Sequence, residues 1–304
     1  MTISAIMPLR SRSPKKSLNS DHVFLIGDAR DIVRKIEDNA IDCIVTSPPY
    51  FNQRDYGVKR QIGAEKTLNE YIHNLTALFS ILRRKLKEHG TFWLNIGDKY
   101  VNGAQQAVPW RVALALVADG WTLRSDIIWH KPNAMPSSVK NRFTVDHEYI
   151  FLFTKGEKHF FDQDAVREPH ITLSPASRMR GGKNHFGKKG GTPEGGKFGG
   201  SSGLHTGDWD RTFHPKGRNK RTVWSIPLSK NRDAHFAVFP DKLVNPCLKA
   251  GCPNGGLVLD PFCGTGTVSL VAAQLGMKSI NIDIHPRYVE IAKANFFKKF
   301  GLPF

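Results

Sequence analysis

Strand-like and helix-like segments alternate along most of this chain, and that alternation limits its fold more than any other feature. Residues 21–28 (DHVFLIGD), 41–46 (IDCIVT), 91–98 (TFWLNIGD), 256–262 (GLVLDPF) and 278–284 (KSINIDI) are short apolar runs of strand type. Between them, residues 29–38, 67–88, 108–119, 241–250, 267–275 and 286–299 carry apolar positions at helical spacing. Gly90 is expected to stop the second helix, and Pro109 to lie in the first turn of the third. Residues 121–131 and 148–155 are expected to form an antiparallel pair, with a further strand at 222–227. The pattern predicts an α/β domain: a doubly wound, mostly parallel sheet with helices on both faces.

Sites in such sheets lie at the carboxyl ends of the strands. Four unusual stretches fall at such ends: Gly27-Asp28, Ser47-Pro48-Pro49-Tyr50, Asp260-Pro261-Phe262 and Asp283. They are expected to share one cleft.

The composition changes after about residue 165. Residues 165–221 hold twelve Gly, twelve Lys or Arg, four His and four acids, with few apolar residues among them. Such a segment buries little surface, so it is expected to be rich in loops. With a formal net charge of +17 over 304 residues, the chain suits a polyanionic partner, nucleic acid first. The expected layout is a basic tail (1–20), a first half of the domain (21–165), a basic glycine-rich insert (166–221) and a second half (222–304). No apolar run approaches the roughly 18 residues needed to span a bilayer. The first twenty residues lack the apolar core of a secretory signal, and four cysteines make no disulfide framework. A cytoplasmic location with no membrane partner is expected.

Asp260-Pro261-Phe262-Cys263-Gly264-Thr265-Gly266-Thr267 follows a strand and opens a helix. Glycines there let the backbone approach a ligand closely. Asp283 ends the next strand, where a carboxylate accepts hydrogen bonds from ribose hydroxyls. Ser269 stands where a dinucleotide fingerprint has its third small residue, and no P-loop lysine follows. The loop resembles the S-adenosylmethionine loop of amino-methyltransferases.

The Ser-Pro-Pro-Tyr corner suits chemistry on an exocyclic amine. Such an amine is a poor nucleophile, because its lone pair is conjugated with the ring. Acceptors placed at its N–H groups favour a pyramidal nitrogen. Ser47 Oγ offers one acceptor and the Pro48 carbonyl a second, held rigidly because Pro49 restricts the chain. Tyr50 offers a face for a base turned out of the duplex, and Phe51 helps to line the pocket.

On these motifs the chain resembles bacterial DNA amino-methyltransferases of the beta class, in which the catalytic motif precedes the recognition region and the cofactor loop comes last. Thr46-Ser47-Pro48-Pro49-Tyr50 has the form typical of cytosine-N4 enzymes; adenine-N6 enzymes more often carry Asp in place of Ser47. The resemblance implies a Rossmann-like domain of permuted motif order, with the insert as target-recognition region. It implies site-specific transfer of a methyl group from S-adenosylmethionine to cytosine N4 in double-stranded DNA, with adenine N6 as the alternative. Asp28 and Ala29 match the element at the cofactor adenine. His235, Phe239 and Pro240 match a segment beside the methionine end, with Phe236 and Asp241 departing from the usual Pro and Glu. Asp260, Phe262, Cys263, Gly264, Thr265, Gly266 and Thr267 match the cofactor loop, and Asp283 the ribose acid, preceded by Asn281 where Gly is usual. Further implications are a monomer or homodimer in a bacterial or phage-type host, and a cognate restriction endonuclease acting on the same site.

Other chemistries fit less well. Pro246-Cys247 suggests a cytosine-C5 nucleophile, but no Glu-Asn-Val partner exists and Cys247 falls in a helix. Cys247 with Cys252, or His185 with His205 and His214, lack the spacing of a zinc site. A nucleotide-linked oxidoreductase leaves Ser47 to Tyr50 unexplained. A catalytically silent DNA-binding protein would have no need of Ser47, Tyr50, Asp260 and Asp283 together.

Overall fold

The computed structural model describes residues 21–169, 215–228 and 240–301. They fall into two compact units, one formed by the residues up to 162 and from 221 onward, the other by 163–220.

The first unit is built on an eight-stranded sheet. In chain order its strands are β1 (His22–Ile26), β2 (Ile41–Thr46), β3 (Leu86–Ile96), β6 (Thr122–His130), β7 (His147–Thr154), β8 (Val223–Ser225), β9 (Leu257–Asp260) and β10 (Lys278–Asp283). A small hairpin, β4 (Tyr100–Val101) with β5 (Ala104–Gln105), stands apart. The sheet order is β1-β10-β9-β2-β3-β7-β6-β8. Among the described residues only β7 opposes its neighbours in this sheet; the other pairings in it are parallel. The expected doubly wound, mostly parallel sheet is therefore present.

Among the described residues six α-helices cover it: α1 (Ala29–Ile32), α2 (Leu68–Lys85), α3 (Val108–Ala118), α4 (Asp241–Gly251), α5 (Thr267–Gln274) and α6 (Pro286–Phe300). Val33, Leu75, Leu78, Phe79 and Val112 pack with Ile44, Phe92, Leu259 and Ile282 in one continuous core. On α6, Val289, Ala292 and Phe296 close over Phe24. Strand β2 is buried along its whole length, which explains its lack of polar alternation. A capping box sets the start of α2: Thr67 Oγ1 accepts from the Glu70 N–H and Glu70 Oε2 from the Thr67 N–H.

Two expected boundaries are corrected. The helix expected over 29–38 is one turn of α-helix followed by a 3-10 turn (Val33–Lys35). The helix expected over 67–88, with Gly90 as its stop, ends at Lys85, where Leu86 turns extended (φ −69°, ψ 139°) and pairs with Ile41. Gly90 lies inside β3 rather than at a helix stop. A Cβ there would stand 2.7 Å from Leu86 Cδ1 and 3.0 Å from the Asp42 carbonyl, so glycine serves close strand packing.

The second unit, seen over 163–169 and 215–220, pins together the two ends of the excursion between them. Glu168 and Arg218 exchange backbone hydrogen bonds of 2.9 and 2.8 Å. The Glu168 carboxylate also pairs with Arg218 and Lys220. A Cβ on Gly217 (φ +105°) would collide with the Glu168 carbonyl, so only glycine fits there. Phe186, Trp209 and Phe213 of the expected insert, and the tail at 1–20, lie outside the described residues.

Candidate active site

The strand order reverses between β9 and β2, and a cleft opens at their carboxyl ends. Ser47, Pro48, Pro49 and Tyr50 line one part of it, while Phe262, Cys263, Gly264, Thr265, Thr267 and Asp283 line another. Asp28 and Ala29 border it from the β1 end. The four unusual strand ends thus meet in one place.

At the glycine loop, the Asp283 carboxylate accepts from the Gly264 N–H (2.9 Å) and the His285 N–H (2.8 Å). Burial raises its pKa above the ordinary value, partly offset by those two bonds. Each oxygen keeps a lone-pair direction for a further donor. Gly264 (φ +49°) has nothing within 4 Å of a Cβ position, so its backbone edges open space. Gly266 differs: a Cβ there would lie 2.9 Å from Ala292 Cβ, so it serves the contact of α5 with α6 and is not part of the cleft wall. Tyr56 and Tyr288 meet edge to face at 5.9 Å and add an aromatic wall.

Asp260 is fully buried. Its Oδ1 accepts from Thr46 Oγ1 (2.7 Å) and from the Phe262 N–H (3.1 Å). Its Oδ2 has no partner among the described residues. Burial pushes its pKa up to about 7, although both hydrogen bonds act in the opposite sense. Asp28 caps α1 through the Arg30 N–H and forms ion pairs with Arg30 (2.6 Å) and Arg60 (3.5 Å). Burial raises its pKa, but the hydrogen bonds from Arg30 outweigh that, and the net shift is downward.

These residues fit an S-adenosylmethionine-type cofactor: Asp283 for paired hydroxyls, Gly264 for close approach, aromatic side chains for a base, and an unmet buried carboxyl oxygen at Asp260. Pro240 is not part of the wall; it precedes α4, its carbonyl accepting from the Leu243 N–H. His235 and Phe239 lie outside the described residues. Cys247 is buried in α4, with its thiol bonded to the Leu243 carbonyl (3.3 Å), away from the cleft.

The Ser47-Pro48-Pro49-Tyr50 corner rests on residues that sequence reasoning missed. Tyr71 of α2 donates to the Pro49 carbonyl (2.9 Å) and fixes the turn from below. Asn95, near the end of β3, directs Nδ2 to Tyr50 Oη (2.8 Å), Ser47 Oγ (3.3 Å) and Glu148 Oε2 (2.9 Å). Tyr50 Oη donates to Glu148 Oε2 (2.7 Å), and Lys131 pairs with Glu148 Oε1. Two signals were available: a lone Asn in the buried run TFWLNI, and a Glu near the start of the apolar strand HEYIFLFT. Neither showed that these residues face Ser47.

The family described as DNA methylase, of the N6/N4 methyltransferase type, matches residues 41–294. The chain is 37% identical to the type II methyltransferase M.SmaI of Serratia marcescens, over 91% of each sequence. It is 36% identical to M.Cfr9I of Citrobacter freundii, over 92% of this chain and 89% of that protein. Among solved structures, the fold matches the PvuII DNA methyltransferase (cytosine-N4-specific) with a TM-score of 0.66 at 21% identity, over 90% of this chain and 85% of that one. It also matches TTHA0409 of Thermus thermophilus, a putative DNA modification methylase solved with S-adenosyl-L-methionine, with a TM-score of 0.58 at 22% identity over 93% and 95%. With the family match spanning most of the chain and the cleft built from its own motifs, this protein belongs to the N6/N4 DNA methylase family and is a DNA methyltransferase.

Proposed function

We propose that this methyltransferase transfers a methyl group from S-adenosylmethionine to the exocyclic N4 amine of a cytosine turned out of duplex DNA. The observation that carries this reading is that Ser47, Pro48 and Tyr50 line the same cleft as Gly264 and Asp283. The bound cofactor supplies an electrophilic methyl group on a sulfonium centre. Ser47 Oγ and the Pro48 carbonyl accept the two N–H groups of the amine and restore its lone pair. Tyr71 holds the Pro49 carbonyl and keeps the corner rigid. Asp283 and the Gly264 backbone hold the nucleoside part of the cofactor, with Asp28, Ala29 and Tyr288 around its base. Positioning for in-line attack supplies most of the rate. Ser47, where adenine enzymes more often have Asp, supports cytosine over adenine.

The second unit and the basic residues between its pinned ends are assigned to target recognition, Lys and Arg on phosphates and other side chains on base edges. In this reading the enzyme acts on specific sites in the cytoplasm of a bacterial or phage-type host, as a monomer or homodimer. A restriction endonuclease of the same specificity is its expected counterpart.

The test uses methyl-labelled S-adenosylmethionine and unmethylated genomic DNA, digested to nucleosides and analysed by mass spectrometry. Label in N4-methylcytosine supports the reading, and label in N6-methyladenine moves the target to adenine. Deleting residues 181–203 should damage DNA binding or site choice and leave cofactor binding intact. Unchanged site-specific methylation would remove the insert from recognition.

A further inference from the structure

The hydrogen-bond chain behind Ser47 has a fixed direction, and its end is Glu148. This residue is the second of β7, the one reversed strand of the sheet among the described residues, so its side chain arrives at the carboxyl edge beside the ends of β3 and β6. Gly97 leaves it room: a Cβ there would stand 2.8 Å from Tyr50 Cε2 and 3.3 Å from Glu148 Cγ.

An ionised carboxylate only accepts hydrogen bonds. Glu148 Oε2 therefore takes the Tyr50 O–H at 2.7 Å, and the Tyr50 oxygen becomes an acceptor. Ser47 donates its O–H to that oxygen at 3.3 Å. With its proton turned toward Tyr50, Ser47 Oγ presents lone pairs to the cleft.

Two features support this direction. Burial, followed by the Glu148 charge, pushes the Tyr50 hydroxyl well above its ordinary pKa and keeps it a donor. Asn95 turns its Nδ2 toward Ser47, Tyr50 and Glu148, while its Oδ1 is buried with no partner among the described residues. The reverse amide orientation would set Oδ1 against the carboxylate. Lys131 holds the other oxygen of Glu148, and both side chains are about one-sixth exposed (15% and 16%).

We propose that Glu148 is a positioning residue for methyl transfer, setting the polarity of the Ser47–Tyr50–Glu148 chain so that Ser47 can only accept a hydrogen bond from the substrate amine. The proposal rests on the reading of Ser47 given above. It does not depend on which base carries the amine.

The test is Glu148→Gln, which keeps the shape but supplies an N–H that can donate to the Tyr50 oxygen. The chain can then reverse, and Ser47 points a proton at the amine. In single-turnover assays with saturating S-adenosylmethionine and duplex DNA, methyl transfer should slow by about tenfold to a hundredfold. Cofactor affinity, DNA affinity and melting temperature should stay near those of the unsubstituted enzyme. Tyr50→Phe cuts the chain in the middle, so adding Glu148→Gln to it should cost little more. An unchanged rate in Glu148→Gln, or a full further loss on the Tyr50→Phe background, overturns the proposal. Nucleoside analysis of the unsubstituted enzyme's product in the same reactions separates a wrong target base from a wrong role for Glu148.

Discussion

The Thr46 hydroxyl donates to Asp260 Oδ1 at 2.7 Å, although 214 positions separate the two residues. Thr46 is the last residue of β2, the strand that leads into Ser47-Pro48-Pro49-Tyr50, and Asp260 is the last residue of β9, which leads into the glycine loop. Ile44 and Leu259 pair two positions and one position earlier. One buried hydrogen bond thus registers the corner proposed to accept the amine against the loop proposed to hold the methyl donor. Methyl transfer is sensitive to such spacing, because in-line geometry supplies most of its rate.

Thr46→Val should remove this link without changing side-chain volume much. Asp260 would keep the Phe262 N–H but lose its side-chain donor. Urea denaturation should show a loss of about 1–3 kcal/mol, and calorimetry a weaker affinity for S-adenosylmethionine.

Asp260→Asn should change the dependence of stability on pH. Burial raises the Asp260 pKa from 3.8 to about 7 in the folded chain. Between those values the native state holds a proton that the unfolded state has released. Its contribution is therefore fully present below 3.8 and is lost as pH rises through about 7. The loss should be on the order of a few kcal/mol. Denaturation at pH 4, 5.5 and 7.5, compared with Asp260→Asn, checks this: the variant should lack that decline.

Gly264→Ala and Gly266→Ala should separate binding from folding. At Gly266 a Cβ meets Ala292 at 2.9 Å and the backbone has φ +87°, so a stability loss of about 1–3 kcal/mol is expected. At Gly264 nothing lies within 4 Å, and only the φ of +49° is unfavourable, a cost of about 1 kcal/mol. Its methyl group would occupy the space of the cofactor, and affinity for S-adenosylmethionine should fall by about tenfold or more. Thermal melts and cofactor titrations on both variants distinguish the two roles.

Ser47→Ala should lower the methyl-transfer rate on the order of a hundredfold while cofactor affinity is largely kept. Asp283→Ala should show the opposite division, with cofactor affinity reduced about tenfold to a hundredfold. Single-turnover rates at saturating cofactor, set beside equilibrium binding, provide the comparison.

Much of the architecture was legible before folding. Apolar runs such as IDCIVT and KSINID, bracketed by helical spacing, became β2 and β10 within a residue or two. The expected antiparallel pair over 121–131 and 148–155 became β6 and β7. Asp260, Gly264 and Asp283 were recognisable as candidates because each stands at a strand end or at the turn between strand and helix. Gly90 was misread because a glycine after a helical run reads as a stop. Its reason lies instead in Leu86 and Asp42, which only strand pairing brings to it.

By itself, the sequence determined the alternation of strands and helices, the rigid corner at Ser47 to Tyr50, the glycine loop and the basic excess. Each depends on residues close together in the chain. Tertiary structure decided which groups surround Ser47. Asn95 comes from the end of β3, Lys131 follows β6, and Glu148 lies near the start of a strand that runs against its neighbours. A reversed strand brings its first residues to the edge where parallel strands bring their last, and no local spacing encodes that reversal. The physical cause is sheet pairing: only when β7 inserts between β3 and β6 does a carboxylate reach the tyrosine that follows Pro49.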